Sequence, residues 1–359
     1  MTQKLRVGIL GATGMVGQRF ITLLKDHPWF EVTTVAASPK SAGLSYAEAV
    51  AGRWLMSEAI PENVRAIKVY SAENDVAKIV GEVDFVFSAL DMTKEKICVL
   101  EEACAEKNVP VVSNNSAHRW TVDVPMIMPE INPEHLAAID IQRQRRGWER
   151  GFIVTKPNCS LQSYVPAIQP LKKFGVEKVA VTTLQALSGA GKTLEIWPEM
   201  SDNVIPFIGG EEEKTEREPL KIWGRVGSDG IVSASGPPIS ATCIRVPVSD
   251  GHMAAVTVSL QEKVSKEQII DAWRGYVNPI AQDNLPSAPV PLITYLEEDN
   301  RPQTRLDRLV GKGMGITVGR LRPDAILNWK FIALAHNTIR GAAGGAILTA
   351  ELLKARGYM

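Results

Sequence analysis

Cys159 stands in the run Thr155-Lys156-Pro157-Asn158-Cys159-Ser160, between an apolar strand-like segment at 151–154 and a helix-like stretch at 161–174. A cysteine at a helix N-terminus meets free backbone N–H groups and the positive end of the helix dipole, and both favour the thiolate. The same N–H groups suit an oxyanion. A cysteine is equally at home as a small buried hydrophobe, and that reading fits Cys98, Cys104 and Cys243. For Cys159 the local residues leave both readings standing. A catalytic thiol also needs a proton partner. Among five histidines, His252 lies seven positions after Arg245 in Arg245-Val246-Pro247-Val248-Ser249-Asp250-Gly251-His252. This run reads as a strand, a tight turn and a new strand, so both side chains can face one pocket. Arginine there would clamp a carboxylate bidentately, and histidine would exchange a proton near neutrality. The competing reading of His252 is a polar turn residue.

A second chemical feature comes earlier. Gly8-Ile9-Leu10-Gly11-Ala12-Thr13-Gly14-Met15-Val16-Gly17 follows an apolar strand and opens a helix. Glycines allow a tight turn and close approach to a pyrophosphate, and the helix N-terminus supplies free N–H groups. The spacing is G-x-x-G-x-x-G rather than G-x-G-x-x-G, so a ligand-free βα turn stays open as an alternative. The next strand ends in Ala37-Ser38-Pro39-Lys40-Ser41-Ala42-Gly43. An acid at this place would hold the ribose 2′-hydroxyl of NAD. Two hydroxyls and a lysine suit a 2′-phosphate instead, which favours NADP, unless Lys40 is an incidental loop residue.

These residues need elements to position them. Strands are expected at 5–10, 32–37, 83–90 and 109–113, with helices at 15–25 and 95–107. Strands alternating with helices point to a parallel sheet covered on both faces. After the charged run at 142–150 the strands lengthen and alternate, at 178–186, 239–246 and 253–260, as in a mixed or antiparallel sheet. The charge cluster Glu211 to Glu218 marks a helix start, 283–291 a proline-bearing loop, and 341–358 an Ala/Leu helix opened by glycines. The chain has 359 residues, 45% hydrophobic and 22% charged, with zero net charge. That length favours two domains, and the charge balance gives no reason to expect nucleic acid or a membrane surface as a partner. No apolar run spans a bilayer, and MTQKLR lacks a signal-peptide layout. Four scattered cysteines have neither metal-ligand spacing nor the density of a disulfide scaffold, so no metal is expected and the setting expected is reducing and cytoplasmic.

In order, GATGMVG, ASPKSAG, NNSAHR, PNCS, LQALSGAGK, IRVPVSDGH and HNTIRGAAGG span nearly the whole chain. Together they resemble the aspartate-β-semialdehyde dehydrogenase family. RPQTRLDR, GMGITVGR and the HNTIRGAAGG tail resemble its archaeal and fungal branch. The resemblance implies reversible, NADPH-dependent conversion of L-4-aspartyl phosphate to L-aspartate 4-semialdehyde and phosphate through a thioester, on the way to threonine, methionine, isoleucine and lysine. By position it makes Cys159 the nucleophile and His252 the acid/base. Asn158, which precedes the nucleophile as the family's asparagine does, and Gln185, which orients the bound substrate, complete the catalytic set, and Arg245 binds the substrate carboxylate. Arg119 binds phosphate, while Glu218 and Lys221 form an E-x-x-K pair for the amino group and the phosphate. Glu211 with Lys214 offers the same spacing. Gly11, Thr13, Gly14, Met15, Val16, Ser38, Lys40 and Ser41 fall on the cofactor's pyrophosphate and 2′-phosphate side, and Ser188, Gly189 and Asn337 near its nicotinamide.

The expected architecture is α/β: a Rossmann-type NADP domain at 1–157, completed by a C-terminal helix at 336–359, and an α+β catalytic and dimerisation domain with a mixed sheet at 158–335. A homodimer or homotetramer is implied. The rival readings are a malonyl-CoA reductase on the same scaffold, an N-acetylglutamyl-phosphate reductase, and, from another class, a non-catalytic NADP-binding sensor. Asn158 and the intact IRVPVSDGH run favour the semialdehyde enzyme over the first.

Overall fold

Strand β1 (Leu5–Leu10) is apolar enough to be buried from both sides, and it lies at the centre of a six-stranded sheet. The computed structural model describes residues 3–359. Around β1 are β2 (Phe30–Ala37), β3 (Val69–Ser71), β4 (Phe85–Ser88), β5 (Val111–Ser113) and β6 (Ile153–Thr155), in the order β3-β2-β1-β4-β5-β6 and all parallel. The order reverses between β1 and β4, and in open parallel sheets ligands bind at that crevice. Gly11 follows β1 directly and helix α1 (Met15–Leu24) follows Gly14. Helices α2 (Lys94–Glu106) and α3 (Ala138–Arg146) cover the β4–β6 half. Within the charged run at 142–150, Gln142 is buried and its amide donates to the carbonyls of Asp123 and Ile153.

A second sheet contains β7 (Val176–Gln185), β10 (Ile239–Arg245), β11 (His252–Leu260), β12 (Ile293–Leu296), β13 (Ile316–Pro323) and β14 (Trp329–Ala335), with a small separate hairpin of β8 (Arg225–Gly227) and β9 (Gly230–Val232) between β7 and β10 in the chain. Its order is β10-β7-β11-β14-β13-β12, with parallel pairs at both edges and antiparallel pairs between. The expected mixed sheet is present. One face packs against helix α4 (Leu161–Ile168), where Leu161, Tyr164, Val165 and Ile168 meet Val181, Val256, Phe331 and Ala333. From Val179 onward in β7, and along β11, every other residue is buried, which is the alternation their sequence showed.

Two more helices position the site. Helix α5 (Glu211–Ile222) runs alongside β10. The chain then returns from β14 through a π-helical turn (Ile339–Ala343) into α6 (Gly344–Ala355). This last helix is buried from Gly344 to Leu353, and Ile347, Leu348 and Leu352 join the core of the first sheet with Val7, Phe20 and Phe87. No helix among the described residues is long and apolar enough to cross a membrane.

Candidate active site

The turn after β6 builds the nucleophile. Lys156 N–H donates to Ser113 O at 2.8 Å, which extends the β5–β6 pairing, and the chain then bends into α4. Asn158 Oδ1 accepts from the N–H and hydroxyl of Ser160 at 2.7 and 2.8 Å, fixing that bend. Cys159 Sγ comes to 3.4 Å from Nε2 of His252, the first residue of β11. On the other side of the ring, Nδ1 accepts the Ala186 N–H at 3.0 Å. Arg245 ends β10, and its Nη1 donates to Ala186 O at 2.5 Å. A Cβ on Gly189 would lie 2.9 Å from both Arg245 Nη1 and His252 Nε2, so only glycine keeps that space open. Asn337 ties these turns together: Nδ2 donates to Ser188 Oγ and Oδ1 accepts from Gly251 N–H, each at 2.8 Å.

The electrostatics differ from expectation. A helix N-terminus favours thiolate, but burial pushes the Cys159 thiol up to about 11, with the Glu211 charge adding and Lys156, Arg119 and Arg245 opposing. In the enclosed site desolvation outweighs the nearby cations. Burial, then the charges of Arg245 and His336, hold His252 down to about 3. Lys156 is fully buried and pulled down to about 7 by burial, with Arg119 next in effect.

The expected E-x-x-K pair requires correction. Glu218 is wholly buried and faces the frame: it takes Arg119 Nη1 at 2.9 Å and the Asn158 N–H at 2.7 Å. Lys221 donates to the carbonyls of Arg119, Thr121 and Val124 at 2.7–2.9 Å, which uses all three of its protons and leaves none for a phosphate. The reason lies in helix phase. Gly210, at φ 71°, starts α5 so that Glu211, Thr215, Glu218 and Ile222 share its buried face. The other register is the one beside Cys159. Glu211 accepts from Asn158 Nδ2 at 2.9 and 3.0 Å, from Gln185 Nε2 at 3.3 Å and from Lys214 Nζ at 2.8 Å. Arg119 keeps two of its five N–H groups after bonding Glu218, Lys156 O and Asn114 O. Sequence reasoning also missed Gly341, whose added Cβ would fall 2.9 Å from Cys159 Cβ.

At the first sheet, Gly11 has φ 85°, and a Cβ there would meet Ala89 O at 2.2 Å; a Cβ on Gly17 would lie 2.2 Å from Gly11 O. The cradle therefore fits a dinucleotide: the turn is held down by glycines, and no side chain caps α1. Gln18 braces it by donating to Thr13 O at 2.9 Å. Thr13, Met15 and Val16 are half-buried around the open Gly14. Ser38 and Lys40 are exposed at the end of β2, Ser41 is buried, and Lys40 forms no ion pair among the described residues.

Comparison with known proteins bears on both halves. Residues 6–139 match the family model for the semialdehyde dehydrogenase NAD binding domain, and residues 168–340 that for the semialdehyde dehydrogenase dimerisation domain. An aspartate-semialdehyde dehydrogenase of Archaeoglobus fulgidus is 46% identical over 97% of both chains. That of Saccharomyces cerevisiae is 40% identical over 99% of both. The structure of the Candida albicans enzyme with NADP superposes with a TM-score of 0.87 at 38% identity, covering 99% of this chain and 100% of that one. Archaeal and fungal relatives thus align with both sheets and the turn between them, and the chain belongs to the aspartate-semialdehyde dehydrogenase family.

Proposed function

We propose that this chain interconverts L-4-aspartyl phosphate and L-aspartate 4-semialdehyde through a thioester on Cys159, with NADP(H) as cofactor, in the cytoplasmic synthesis of amino acids. The observation that carries the reading is Cys159 Sγ placed 3.4 Å from His252 Nε2, beside Arg245 and under the open space at Gly189. In the reductive direction the Cys159 thiolate attacks the acyl carbon. The C–S bond forms, the C–O bond to phosphate breaks, and its electron pair leaves on the phosphate. When bound, NADPH supplies the hydride that reduces the acyl carbon. Arg245, with only Nη1 engaged, clamps the substrate carboxylate. Glu211 accepts from the substrate amino group, and Asn158 and Gln185 aim it by donating to it. Lys214 and the two remaining N–H groups of Arg119 take the phosphate. Gly11 to Val16 hold the cofactor's pyrophosphate, Ser38, Lys40 and Ser41 its 2′-phosphate, and Ser188, Gly189 and Asn337 its nicotinamide end.

A homodimer is part of the proposal, with a tetramer of two such dimers as the larger alternative. Its support is the dimerisation-domain match and the exposed Leu194, Ile196, Val204 and Phe207 between β7 and α5. The test is phosphate-dependent NADP reduction with aspartate semialdehyde, run beside malonyl-CoA-dependent NADPH oxidation, in wild type and Cys159→Ala. Turnover with aspartate semialdehyde that is lost in Cys159→Ala is the expected result. Activity with malonyl-CoA alone, or an unimpaired Cys159→Ala, contradicts the reading.

A further inference from the structure

Lys156 is buried at the base of the nucleophile's turn, and the reading above gives it no task. Its backbone is pinned on both sides: the N–H donates to Ser113 O at 2.8 Å, and the carbonyl accepts Arg119 Nε at 3.0 Å. The side chain stays with the turn, where Nζ donates to Pro157 O at 2.6 Å. The returning chain closes over it. A Cβ on Gly345 would lie 3.3 Å from Lys156 Cδ, and one on Gly341 would lie 2.9 Å from Cys159 Cβ. One wall, the π-helical turn and the start of α6, thus packs on both residues. Only 2% of Lys156 is exposed.

A lysine so enclosed is normally paired with an acid, because an unpaired ammonium out of water is costly. Here Pro157 O takes one of the Nζ protons, and Lys156 forms no ion pair among the described residues. The nearby acids are committed: Glu218 to Arg119, Glu211 to Lys214 and Glu130 to Arg340. Two groups favour a charge on Lys156, Cys159 and Glu218, and of these the thiol is the uncommitted one. Arg119 from the loop after β5 and Arg340 from the π-helical turn oppose that charge. Cys159 in turn faces Glu211 from α5, Arg245 from β10 and His252 from β11. Burial, Arg245 and His336 oppose a charge on His252, and its hydrogen bond with the Gly251 backbone favours one.

We infer that Lys156 is a positioning residue whose buried ammonium is the counter-ion of the Cys159 thiolate, acting on the substrate only through the sulfur. This rests on the thioester chemistry proposed above. The thiol proton leaves to His252 Nε2, 3.4 Å from Sγ, and passes on to solvent. Burial, then Arg119, pulls Lys156 down to about 7, while Cys159 raises it. The two titrations are therefore coupled. Above about pH 7 the free enzyme's Lys156 is neutral, and forming the ion pair hands it the thiol's proton instead of releasing that proton. The thiolate population then stops climbing with pH.

The test is the rate at which Cys159 reacts with methyl methanethiosulfonate, an uncharged probe, from pH 5.5 to 9.5 without substrate. Mass spectrometry of the peptide bearing Cys159 gives the rate. The thiolate attacks the probe's CH3S sulfur, a new S–S bond forms, and methanesulfinate leaves with the electron pair of the bond that breaks. In wild type the log of the rate should climb with pH and flatten above about pH 7. Lys156→Met should react about 10- to 100-fold more slowly at pH 6.5 and climb without flattening. Its Tm should not fall, since a buried unpaired charge is removed. A Met profile that superposes on wild type overturns the inference, whatever happens to Tm. Lys156→Gln keeps a donor for Pro157 O without the charge and should be as slow as Met. Gln at the wild-type rate would make the hydrogen bond the cause, and overturns the inference too. With aspartate semialdehyde, kcat of Lys156→Met should fall about 10-fold or more at pH 6.5 while KM stays within about 2-fold. A raised KM with intact kcat would place Lys156 in substrate binding and contradict its action through sulfur. The probe is not a substrate. Slowed probe chemistry in an enzyme that turns over no aspartyl phosphate would sink the functional proposal and leave the role of Lys156 standing.

Discussion

Glu211 gathers Asn158, Gln185 and Lys214 within hydrogen-bond distance, and its charge acts on the Cys159 thiol. Its loss should therefore read out in binding. Glu211→Gln removes the charge that meets the substrate amino group, and charge-assisted bonds contribute about 1.5–3 kcal/mol, so KM for aspartate semialdehyde should rise about 10- to 100-fold with a smaller change in kcat. Lys214→Ala should raise KM for phosphate instead. Steady-state kinetics with each substrate varied separate the two, and an unchanged KM in both variants contradicts these roles. The local sequence put Cys159 at a strand end and Arg245 and His252 across one turn, and the structure brings the three together, but their roles were expected only from the family resemblance. The role of Glu211 was not legible. In GGEEEKTEREPLK every acid looks alike, and only the left-handed Gly210 settles which of them turns inward.

At the scale of elements, α5 is bolted down by the residues first read as substrate contacts. Lys221 joins three carbonyls around Arg119 to Val124, and those bonds hold the Arg119 loop against the helix. Lys221→Met should leave three buried acceptors unpaired and cost about 2–4 kcal/mol of stability, while KM for phosphate stays near wild type. A large rise in KM for phosphate without loss of Tm would restore Lys221 to the phosphate site. The π-helical turn works on the nucleophile from the other side. A methyl group at Gly341 must displace Cys159, so Gly341→Ala should lower kcat about 10- to 100-fold and destabilise by about 1–3 kcal/mol. Wild-type kcat in Gly341→Ala would show that the contact relaxes freely. The βα repeats of the first sheet were readable from period and turn signals. Strands β13 and β14 escaped, because runs such as GMGITVGR and NWKFIALA carry too little alternation to be told from buried helix until their partners are known.

Across the whole molecule, the chain passes from the first core at Val154 to the second at Leu161 through the turn that bears Cys159, and the C-terminal helix returns to the first of them. The helix itself was readable from the Ala/Leu tail, but the contact of Gly341 with the nucleophile is a tertiary event with no local signature. Enclosure also makes the fold sensitive to acid. Burial holds His252 down to about 3 and His336 down to about 4, against an ordinary value of 6.5. Both rings are neutral when folded, whereas the unfolded chain takes up protons as pH falls below 6.5, so acid favours unfolding. Tm should climb from pH 5 to 6.5, and His252→Gln should flatten the rise; a flat wild-type profile over that window contradicts the burial of these rings. The most direct test of the whole account is mass spectrometry of enzyme mixed with aspartate semialdehyde and NADP in the absence of phosphate, then quenched in acid. The account predicts one aspartyl adduct per active site on the peptide bearing Cys159, formed with a matching burst of NADPH and released when phosphate is added. A burst with no adduct, or an adduct on Cys98, Cys104 or Cys243, would contradict it.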